Sequence, residues 1–145
     1  MKISTRGRYA LRFMIDLALQ NKNEYTALKD ISERQKISIK YLEQITALLS
    51  KFGLLLSVRG PQGGYKLARE PESYTVGEIL RITEGNLAPI SCLEQTPNTC
   101  EKRENCPTLK MWTGFYKLVN EYFDGITLED LVNEGAPESY FDYVI

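Results

Sequence analysis

All three cysteines of this 145-residue chain lie close together, at Cys92, Cys100 and Cys106. The segment that holds them, "SCLEQTPNTCEKRENCP", separates them by seven and then five residues, most of them polar or charged. Such a composition predicts a loop and argues against burial of the thiols in an apolar core. Grouped thiols of this kind suit metal binding or redox chemistry.

The composition limits the classes of function that these thiols can serve. No apolar run approaches the ~20 residues of a membrane-spanning helix. The beginning "MKISTRGRYALRF" lacks the apolar stretch of a signal peptide, so a cytoplasmic location is expected. Histidine is absent, which removes the commonest acid–base group and any ordinary hydrolytic triad. With no phosphate-binding loop and no paired buried carboxylates visible, an enzyme is not expected.

Four states of the cysteines remain open: a disulfide, free reactive thiols, a zinc site or an iron–sulfur cluster. A disulfide is uncommon in the cytoplasm and would leave one thiol over. Structural zinc usually takes four protein ligands, so its fourth would have to be a carboxylate such as Glu94, Glu101 or Glu104. Thiolates are the usual ligands of iron–sulfur clusters, and residue chemistry slightly favours a cluster over zinc.

Pro107 fits the first position of a long helix, predicted over about residues 107–124. Cys106 would then lie near the helix N-cap, where the helix dipole and free N–H groups favour a thiolate and an anionic cluster.

Charge divides the chain into a basic half and an acidic half. Residues 1–70 contain 13 Lys and Arg against 6 Asp and Glu, a net charge of +7. Residues 71–145 contain 5 against 13, a net charge of −8. This asymmetry indicates that the first half faces a polyanion, although solvated surfaces also produce such excesses.

The elements of the basic half indicate which polyanion it binds. A first helix is predicted from one apolar stripe: Ala10, Phe13, Met14, Leu17 and Ala18. Thr26 is predicted to cap a short second helix, the tight turn "RQKIS" follows, and Ser38 is a natural N-cap for a third helix. The third helix is expected to present these residues at or near its N-terminal end: Ser38, Lys40, Tyr41, Glu43 and Gln44. This pattern predicts a DNA-binding helix-turn-helix, with an ordinary helical pair as the alternative.

A predicted hairpin follows directly, with strands at 54–58 and 65–67 around a Gly/Pro loop. A hairpin in this place is a wing, and its tip carries Arg59 and Gly60. Glycine lets such a tip approach a sugar-phosphate backbone, and arginine is favoured in a minor groove. Glu43 is unusual on a surface that meets phosphates; it can accept from a cytosine N4 amine or repel sequences that lack one. A solvent-facing Glu43 paired with a nearby lysine is the alternative.

The acidic half is predicted to add helices and an interface. Thr75 with Glu78 forms a capping box for a fourth helix, and Thr127 with Asp130 caps a short final one. The long helix carries an aromatic stripe made of Trp112, Phe115, Tyr116, Val119, Tyr122 and Phe123. We expect this stripe to form a dimer interface, the alternative being a helix packed on its own domain. The tail "ESYFDYVI" is expected to be loose or docked by its aromatic side chains.

The predicted fold is mostly α with a small β-hairpin wing, a winged helix-turn-helix with a long C-terminal dimerisation helix. Residues 1–85 form the DNA-binding region, 86–106 the cysteine loop, and 107–145 the dimerisation helix and C-terminal segment.

Several segments resemble one family of proteins. "MKISTRGRYALRFMIDLAL", "ISERQKISIKYLEQ", "VRGPQGGYKLA" and "ITLEDLVNE" are similar to the winged-helix bacterial transcription regulators of the Rrf2 family, the IscR/NsrR/CymR type. "YLEQ" followed by "RGPQGGY" is nearest to the IscR branch. The resemblance covers nearly the whole chain.

The resemblance implies a homodimer, joined through the long helix, on a double-stranded DNA operator. It implies a recognition helix in the major groove and a wing tip in the minor groove. It also implies a cluster, 2Fe-2S or 4Fe-4S, on Cys92, Cys100 and Cys106. In the IscR branch a histidine three residues after the last cysteine completes the site, but this chain has Leu109 there. The fourth ligand is therefore open: a loop carboxylate, a residue of the partner subunit's first helix, or a small molecule.

Together these features predict a cytoplasmic, dimeric transcription regulator, such as a repressor, that senses iron–sulfur status, redox state or nitric oxide. The alternative is a winged-helix regulator with a zinc or redox-thiol loop, which acts through a protein partner and controls cysteine or sulfur metabolism.

Overall fold

A computed structural model of the chain describes residues 1–135. The helices are α1 (Thr5–Leu19), α2 (Leu28–Gln35), α3 (Ile39–Lys51), α4 (Val76–Glu84), α5 (Leu109–Asp124) and α6 (Leu128–Glu134), and the strands are β1 (Leu55–Val58) and β2 (Gly64–Leu67). The predicted fold, mostly helical with a hairpin wing, is confirmed. The predicted tail "ESYFDYVI" lies outside the described residues. Within residues 1–135, no helix is both long enough and apolar enough to cross a membrane.

The first helix is the centre of the main core. Four residues of its predicted stripe are buried, with Ala10, Phe13 and Met14 fully inaccessible to solvent, and the fifth, Ala18, is half-buried. α1 packs against α2, α4, α6 and β2. The Ser4 side chain caps the helix by accepting from the Gly7 amide at 3.1 Å.

The turn between α2 and α3 has a defined conformation. Lys36 adopts a left-handed backbone with φ of 58° and ends α2. Ile37 is buried in the core, and its carbonyl accepts from the Ser32 hydroxyl at 2.6 Å. Because both ends of the turn are held, the angle between α2 and α3 is fixed.

The predicted role of Thr26 as the α2 cap is wrong. Ala27 occupies the cap position, without a side-chain hydrogen bond. Thr26 instead pairs with Tyr65 of β2 through two backbone hydrogen bonds of 2.8 Å each. Backbone pairing across the fold was stronger here than the local capping preference of threonine. As a result, the start of α2 is attached to the wing.

The wing is an antiparallel pair whose register runs from Leu55 opposite Leu67 to Val58 opposite Gly64. Gly64 allows the close approach of Thr26, because a Cβ at this position would collide with the Thr26 carbonyl. The hairpin is therefore held against the helix-turn-helix along one edge.

α4, α5 and α6 form the remainder of the described fold. Val76, Leu80 and Leu87 make a second buried cluster, against which α5 packs partly buried side chains. The Thr75 side chain caps α4, but the Glu78 carboxylate pairs with Arg69 at 2.7 Å, so the predicted capping box is only half formed. The predicted box of Thr127 and Asp130 on α6 is confirmed.

α5 begins later than predicted. Residues 107–108 form a turn, Thr108 is the N-cap, and the first helical residue is Leu109 and not Pro107. The predicted end near residue 124 is confirmed.

Candidate nucleic-acid interface and cysteine loop

The N-terminal half of α3 presents a polar surface. The predicted residues that are exposed there are Ser38, Lys40, Glu43 and Gln44. The Ser38 hydroxyl accepts from the Tyr41 amide at 3.1 Å and so caps the helix. A cap of this kind stabilises a helix by about 1 kcal/mol. The surface therefore starts from a fixed helix end.

Tyr41 differs from its four neighbours because it is half-buried. Its ring meets the ring of Tyr9 of α1 edge-on, with centroids 5.7 Å apart. Edge-to-face aromatic pairs are favourable in this range of distance. Tyr41 thus packs α3 onto α1 in addition to bordering the polar surface.

Arg12 of α1 joins this aromatic pair to the helix-turn-helix. Its guanidinium lies 5.2 Å from the centroid of the Tyr9 ring. The same group donates to the Gln35 side-chain oxygen at 3.2 Å and to the Gln35 backbone carbonyl. Gln35 is the last residue of α2, so Arg12 satisfies a helix-end carbonyl that has no partner within the helix.

Asp16, one turn further along α1, binds the same end of α2. It is 2% exposed. Its carboxylate accepts from the Arg34 guanidinium at 2.7 and 3.0 Å and from the Gln35 side-chain amide at 2.9 Å. Hydrogen bonding to Asp16 raises the pKa of Arg34 above its ordinary value. We call Arg12, Asp16, Arg34 and Gln35 the turn clasp. It fixes α2 on α1 immediately before the turn that leads into α3.

The wing tip and α3 enclose a common groove of about 630 Å³. Glu43 and Ala47 of α3 line one side, and Arg59 and Gly60 of the tip line the other. Gly60 has φ of 109°, a conformation that favours glycine, and its carbonyl accepts from Gly63 at 2.9 Å to close the turn. The structure therefore brings the predicted helix residue Glu43 and the predicted tip residues Arg59 and Gly60 together.

Glu43 is exposed and forms no ion pair with any other residue of the described range 1–135. The alternative in which a nearby lysine pairs with it is thus absent from this structure. Its carboxylate is available to a partner that approaches the groove.

The cysteine loop connects α4 to α5 by way of a short 3₁₀ turn at Ser91–Leu93. Cys92, Cys100 and Cys106 are free thiols, all half-buried. The loop is held mainly by its own contacts, such as the Cys100 carbonyl, which accepts from the Arg103 side chain at 2.9 Å. Loops held by few external contacts open at low free-energy cost.

Cys106 lies two residues before the α5 N-cap, slightly outside the predicted N-cap position. Its sulfur is 3.5 Å from the Thr108 hydroxyl. Hydrogen bonds from that hydroxyl, then from the backbone amides of Thr108 and Leu109, lower the pKa of the Cys106 thiol. The free N–H groups predicted to act on this thiol are thus among the causes, but the Thr108 hydroxyl, which was not predicted, is the largest.

The three thiols do not converge in this structure. Within residues 1–135, no group of three or more Cys, Asp or Glu side chains is arranged to hold a metal ion. The donor set suits an iron–sulfur cluster, since it consists of three soft ligands in one loop without a disulfide. Binding would require the loop to draw the thiols together.

The predicted aromatic stripe of α5 is divided between two faces. Tyr116, Val119 and Phe123 pack against the second cluster. A neighbouring face leaves large apolar side chains exposed: Met111, Phe115, Leu118 and Tyr122. Leu118 and Tyr122 are 65% and 67% exposed, and contiguous exposed apolar patches often mark interaction sites.

The sequence interpretation missed the turn clasp. Tyr9, Arg12 and Asp16 have the spacing i, i+3, i+7, which places them on one face of α1. That spacing could have indicated a shared polar face, but the sequence around Asp16 does not indicate which residues it pairs with.

Comparison with known proteins supports a regulatory role. A family model described as Rrf2, iron-dependent transcriptional regulator, matches residues 3–134. The chain is 40% identical to the HTH-type transcriptional regulator CymR of Bacillus subtilis, over 99% of this chain and all of the relative.

Solved structures show the same similarity. The structure of CymR, the global cysteine regulator of B. subtilis, has a TM-score of 0.76 and 37% identity, and covers 94% of this chain and 99% of that one. The structure of T. potens IscR has a TM-score of 0.72 and 40% identity, with 94% and 89% covered.

Proposed function

This chain belongs to the Rrf2 family of transcriptional regulators, and from that premise we propose that it is a homodimeric, cytoplasmic regulator that senses iron–sulfur cluster status, redox state or nitric oxide. Its relatives are DNA-binding regulators and not enzymes, in agreement with the sequence prediction. The proposal concerns which residues read DNA, which bind the cluster and how two copies associate.

The DNA-reading residues of the proposal are Ser38, Lys40, Tyr41, Glu43, Gln44, Arg59 and Gly60. The observation that carries it is the groove shared by Glu43 and the wing tip. An operator duplex would receive α3 in its major groove and Arg59 in the adjacent minor groove. The net charge of +7 on residues 1–70 favours this approach to phosphates.

The sensing residues of the proposal are Cys92, Cys100 and Cys106. A cluster bound by them would supply a centre whose state changes with oxidants, nitric oxide or iron supply. The lowered pKa of Cys106 raises the fraction of this thiol that is ionised before any metal arrives. The other two thiols would be deprotonated on binding. The fourth ligand comes from outside this thiol set, and Glu94, Glu101 and Glu104 of the loop are all exposed carboxylates.

The state of the cluster would change DNA binding through a shift between two arrangements of the loop. The loop begins at Asn86, directly after Glu84 and Gly85 end α4. The Glu84 carboxylate accepts from the Ser4 hydroxyl at 2.7 Å and from the Ser4 amide at 3.1 Å, at the start of α1. A loop that rearranged to bind a cluster would therefore displace the end of α4, which is hydrogen-bonded to the start of α1. Such coupling biases a two-state equilibrium.

The association proposed for two copies uses the exposed apolar face of α5. Burying Phe115, Leu118 and Tyr122 against a second copy removes large apolar surface from water, at roughly 25 cal/mol per Å². Paired copies also suit paired half-sites in DNA.

Strictly anaerobic purification tests the sensing proposal directly. The absorption spectrum and the iron, sulfide and zinc contents are measured for the wild type and for Cys92→Ala, Cys100→Ala and Cys106→Ala. We expect iron and sulfide that are lost in each variant, with DNA affinity that differs between cluster-bound and cluster-free protein. Zinc, or no metal, in the anaerobic wild type would contradict it.

A second candidate function is supported by the similarity to CymR over almost the full chain. That protein is described as the global cysteine regulator of B. subtilis. On this proposal the loop binds zinc or reacts through its thiols, and the chain acts with a protein partner to control cysteine or sulfur metabolism. The two candidates are separated by colour, because an iron–sulfur protein purified without oxygen is brown and a zinc or free-thiol protein is colourless.

A further inference from the structure

The base of the wing decides where its tip points. The hairpin joins the rest of the molecule next to Leu55, where β1 begins, and Leu67, where β2 ends. A backbone hydrogen bond of 3.2 Å from Ala68 to Leu54 closes the pair. A two-stranded hairpin is at best marginally stable alone, so contacts at this base set its direction.

Tyr74 contacts both chain ends at the base of the wing. Its side chain is completely buried. The phenol donates to the Leu54 carbonyl at 2.7 Å and accepts from the Arg69 amide at 3.0 Å. One hydroxyl therefore bonds the residue before β1 and the chain just after β2.

The surroundings of the Tyr74 hydroxyl keep it protonated and hydrogen-bonded. Burial raises the pKa of Tyr74 above its ordinary value, so the phenol remains a donor well above neutral pH. The Arg69 guanidinium lies over the ring, 4.3 Å from its centroid, and bonds Glu78 of α4 at 2.7 Å. Because a buried polar group without a partner is costly, the phenol favours the wing position that satisfies it.

The backbone around Tyr74 connects this contact to the region after α5. The Tyr74 carbonyl accepts from the Leu128 amide at 2.9 Å, and the Val76 amide donates to Ile126 at 2.9 Å. Thr75 and Thr127 form the bridge between these bonds. The residues that join α5 to α6 are thus paired with the residues that hold the wing.

We propose that Tyr74 is a positioning residue for DNA recognition, which fixes the wing through Leu54 and Arg69 and ties it to the α5–α6 junction. The inference rests on the proposed DNA contact of Arg59. Tyr74 lies at the base of the hairpin, at the end away from the tip. Its proposed role is therefore indirect and involves no contact with DNA.

Tyr74→Phe tests the role, because it keeps the ring and removes only the hydroxyl. The full chain is purified anaerobically, and its affinity is measured for a fluorescent duplex selected by the wild type from a random library. We expect affinity about fivefold weaker, the factor that corresponds to one net hydrogen bond. Hydrogen exchange of the Arg69 amide in the free protein should become faster, because its bond to the phenol is lost.

A cycle with Arg59→Ala separates positioning from simple stabilisation. If Tyr74 acts through the wing, Tyr74→Phe should change affinity less than twofold once Arg59 has been replaced. The matched control is Ile79→Val, which trims a fully buried side chain of α4 in the same core. It should lower the free energy of unfolding but leave affinity for the duplex unchanged.

The outcomes distinguish this inference from the DNA contact on which it rests. If Arg59→Ala weakens binding but Tyr74→Phe does not, or if their effects simply multiply, the role of Tyr74 is refuted and the wing contact stands. If Arg59→Ala leaves affinity unchanged, the wing contact is refuted and the role of Tyr74 with it.

Discussion

At the scale of single residues, Glu43 is the side chain that we expect to select DNA sequence. It is exposed in the groove between α3 and the wing, without an ion-pair partner in the described residues. A carboxylate there repels phosphates, and a contact with a base edge would offset that repulsion. A cytosine N4 amine supplies such a contact.

We predict that Glu43→Ala relaxes sequence preference without weakening general DNA binding. A good base contact gives about 1–3 kcal/mol of discrimination, and that difference should shrink. The measurement compares affinities for the selected duplex and for versions in which each cytosine is replaced. An equal loss on all duplexes would contradict the prediction, and Gln44→Ala provides a neighbouring comparison.

Cys106 is the residue whose chemistry depends most clearly on a neighbour. The Thr108 hydroxyl is the largest cause of its lowered pKa. In metal-free protein with Cys92 and Cys100 replaced by serine, Thr108→Val should raise the pKa of Cys106. Alkylation near neutral pH should then slow, because less thiolate is present.

The pH dependence of the alkylation rate provides the measurement for this prediction. The midpoint should move upward in Thr108→Val but not reach that of an isolated thiol, since the amides of residues 108 and 109 still donate. Thr99→Val is the matched control, because that hydroxyl bonds Gln95 at 3.1 Å and not a thiol. Identical midpoints in the wild type and Thr108→Val would exclude the hydroxyl as the cause.

At the scale of elements, the turn clasp determines how α2 and α3 sit on α1. Asp16 accepts three hydrogen bonds while 2% exposed. Arg34 is partly exposed, so water can solvate it when Asp16 is removed, and the cost stays below that of a fully buried pair. The principal loss comes from the buried hydrogen bonds.

We predict that Asp16→Ala lowers the free energy of unfolding by about 1–3 kcal/mol. Denaturant titration measures it. Glu121→Ala is the control: it removes the exposed pair with Lys117, 3.8 Å apart, and should change stability by no more than about 0.5 kcal/mol. Equal effects of the two substitutions would show that the clasp adds nothing to the fold.

At the scale of the whole molecule, we expect the exposed apolar face of α5 to pack against a second copy of the chain. Leu118 lies in the centre of that face, and Lys117 lies beside it in the sequence, exposed and outside the apolar set. A charge at position 118 would face a dry interface in a dimer but only water in a monomer. Stability of the monomer fold depends instead on Tyr116, Val119 and Phe123.

We predict that Leu118→Glu yields monomers that keep their helical content and bind the selected duplex at least tenfold more weakly. Sedimentation equilibrium measures the mass, and circular dichroism the helix content. Lys117→Glu introduces the same carboxylate at the preceding residue, outside the apolar face, and should remain dimeric. A Leu118→Glu protein that stays dimeric would place the interface elsewhere.

The sequence by itself determined the parts of this protein that depend on local chemistry. Apolar spacing indicated α1 and α3, glycine and proline marked the wing, and Ser38 marked the start of α3. The same local reasoning identified the fold class and the three candidate thiols, whereas the family was identified from the resemblance of whole segments. Each of these features is a property of a short stretch of chain, whose preferred conformation or chemistry survives folding.

Tertiary structure alone decided what these parts contact. Thr26 pairs with Tyr65 instead of capping α2, Glu78 bonds Arg69 instead of completing a box, and Tyr74 bonds both ends of the wing. These partners are distant in sequence, and only the packed fold brings them together. A cap contributes only about 1 kcal/mol, so backbone pairing at Thr26 and an ion pair at Glu78 are enough to replace it. For that reason the candidate DNA-contacting residues and the candidate thiols were visible in the sequence, but the contacts that position them were not.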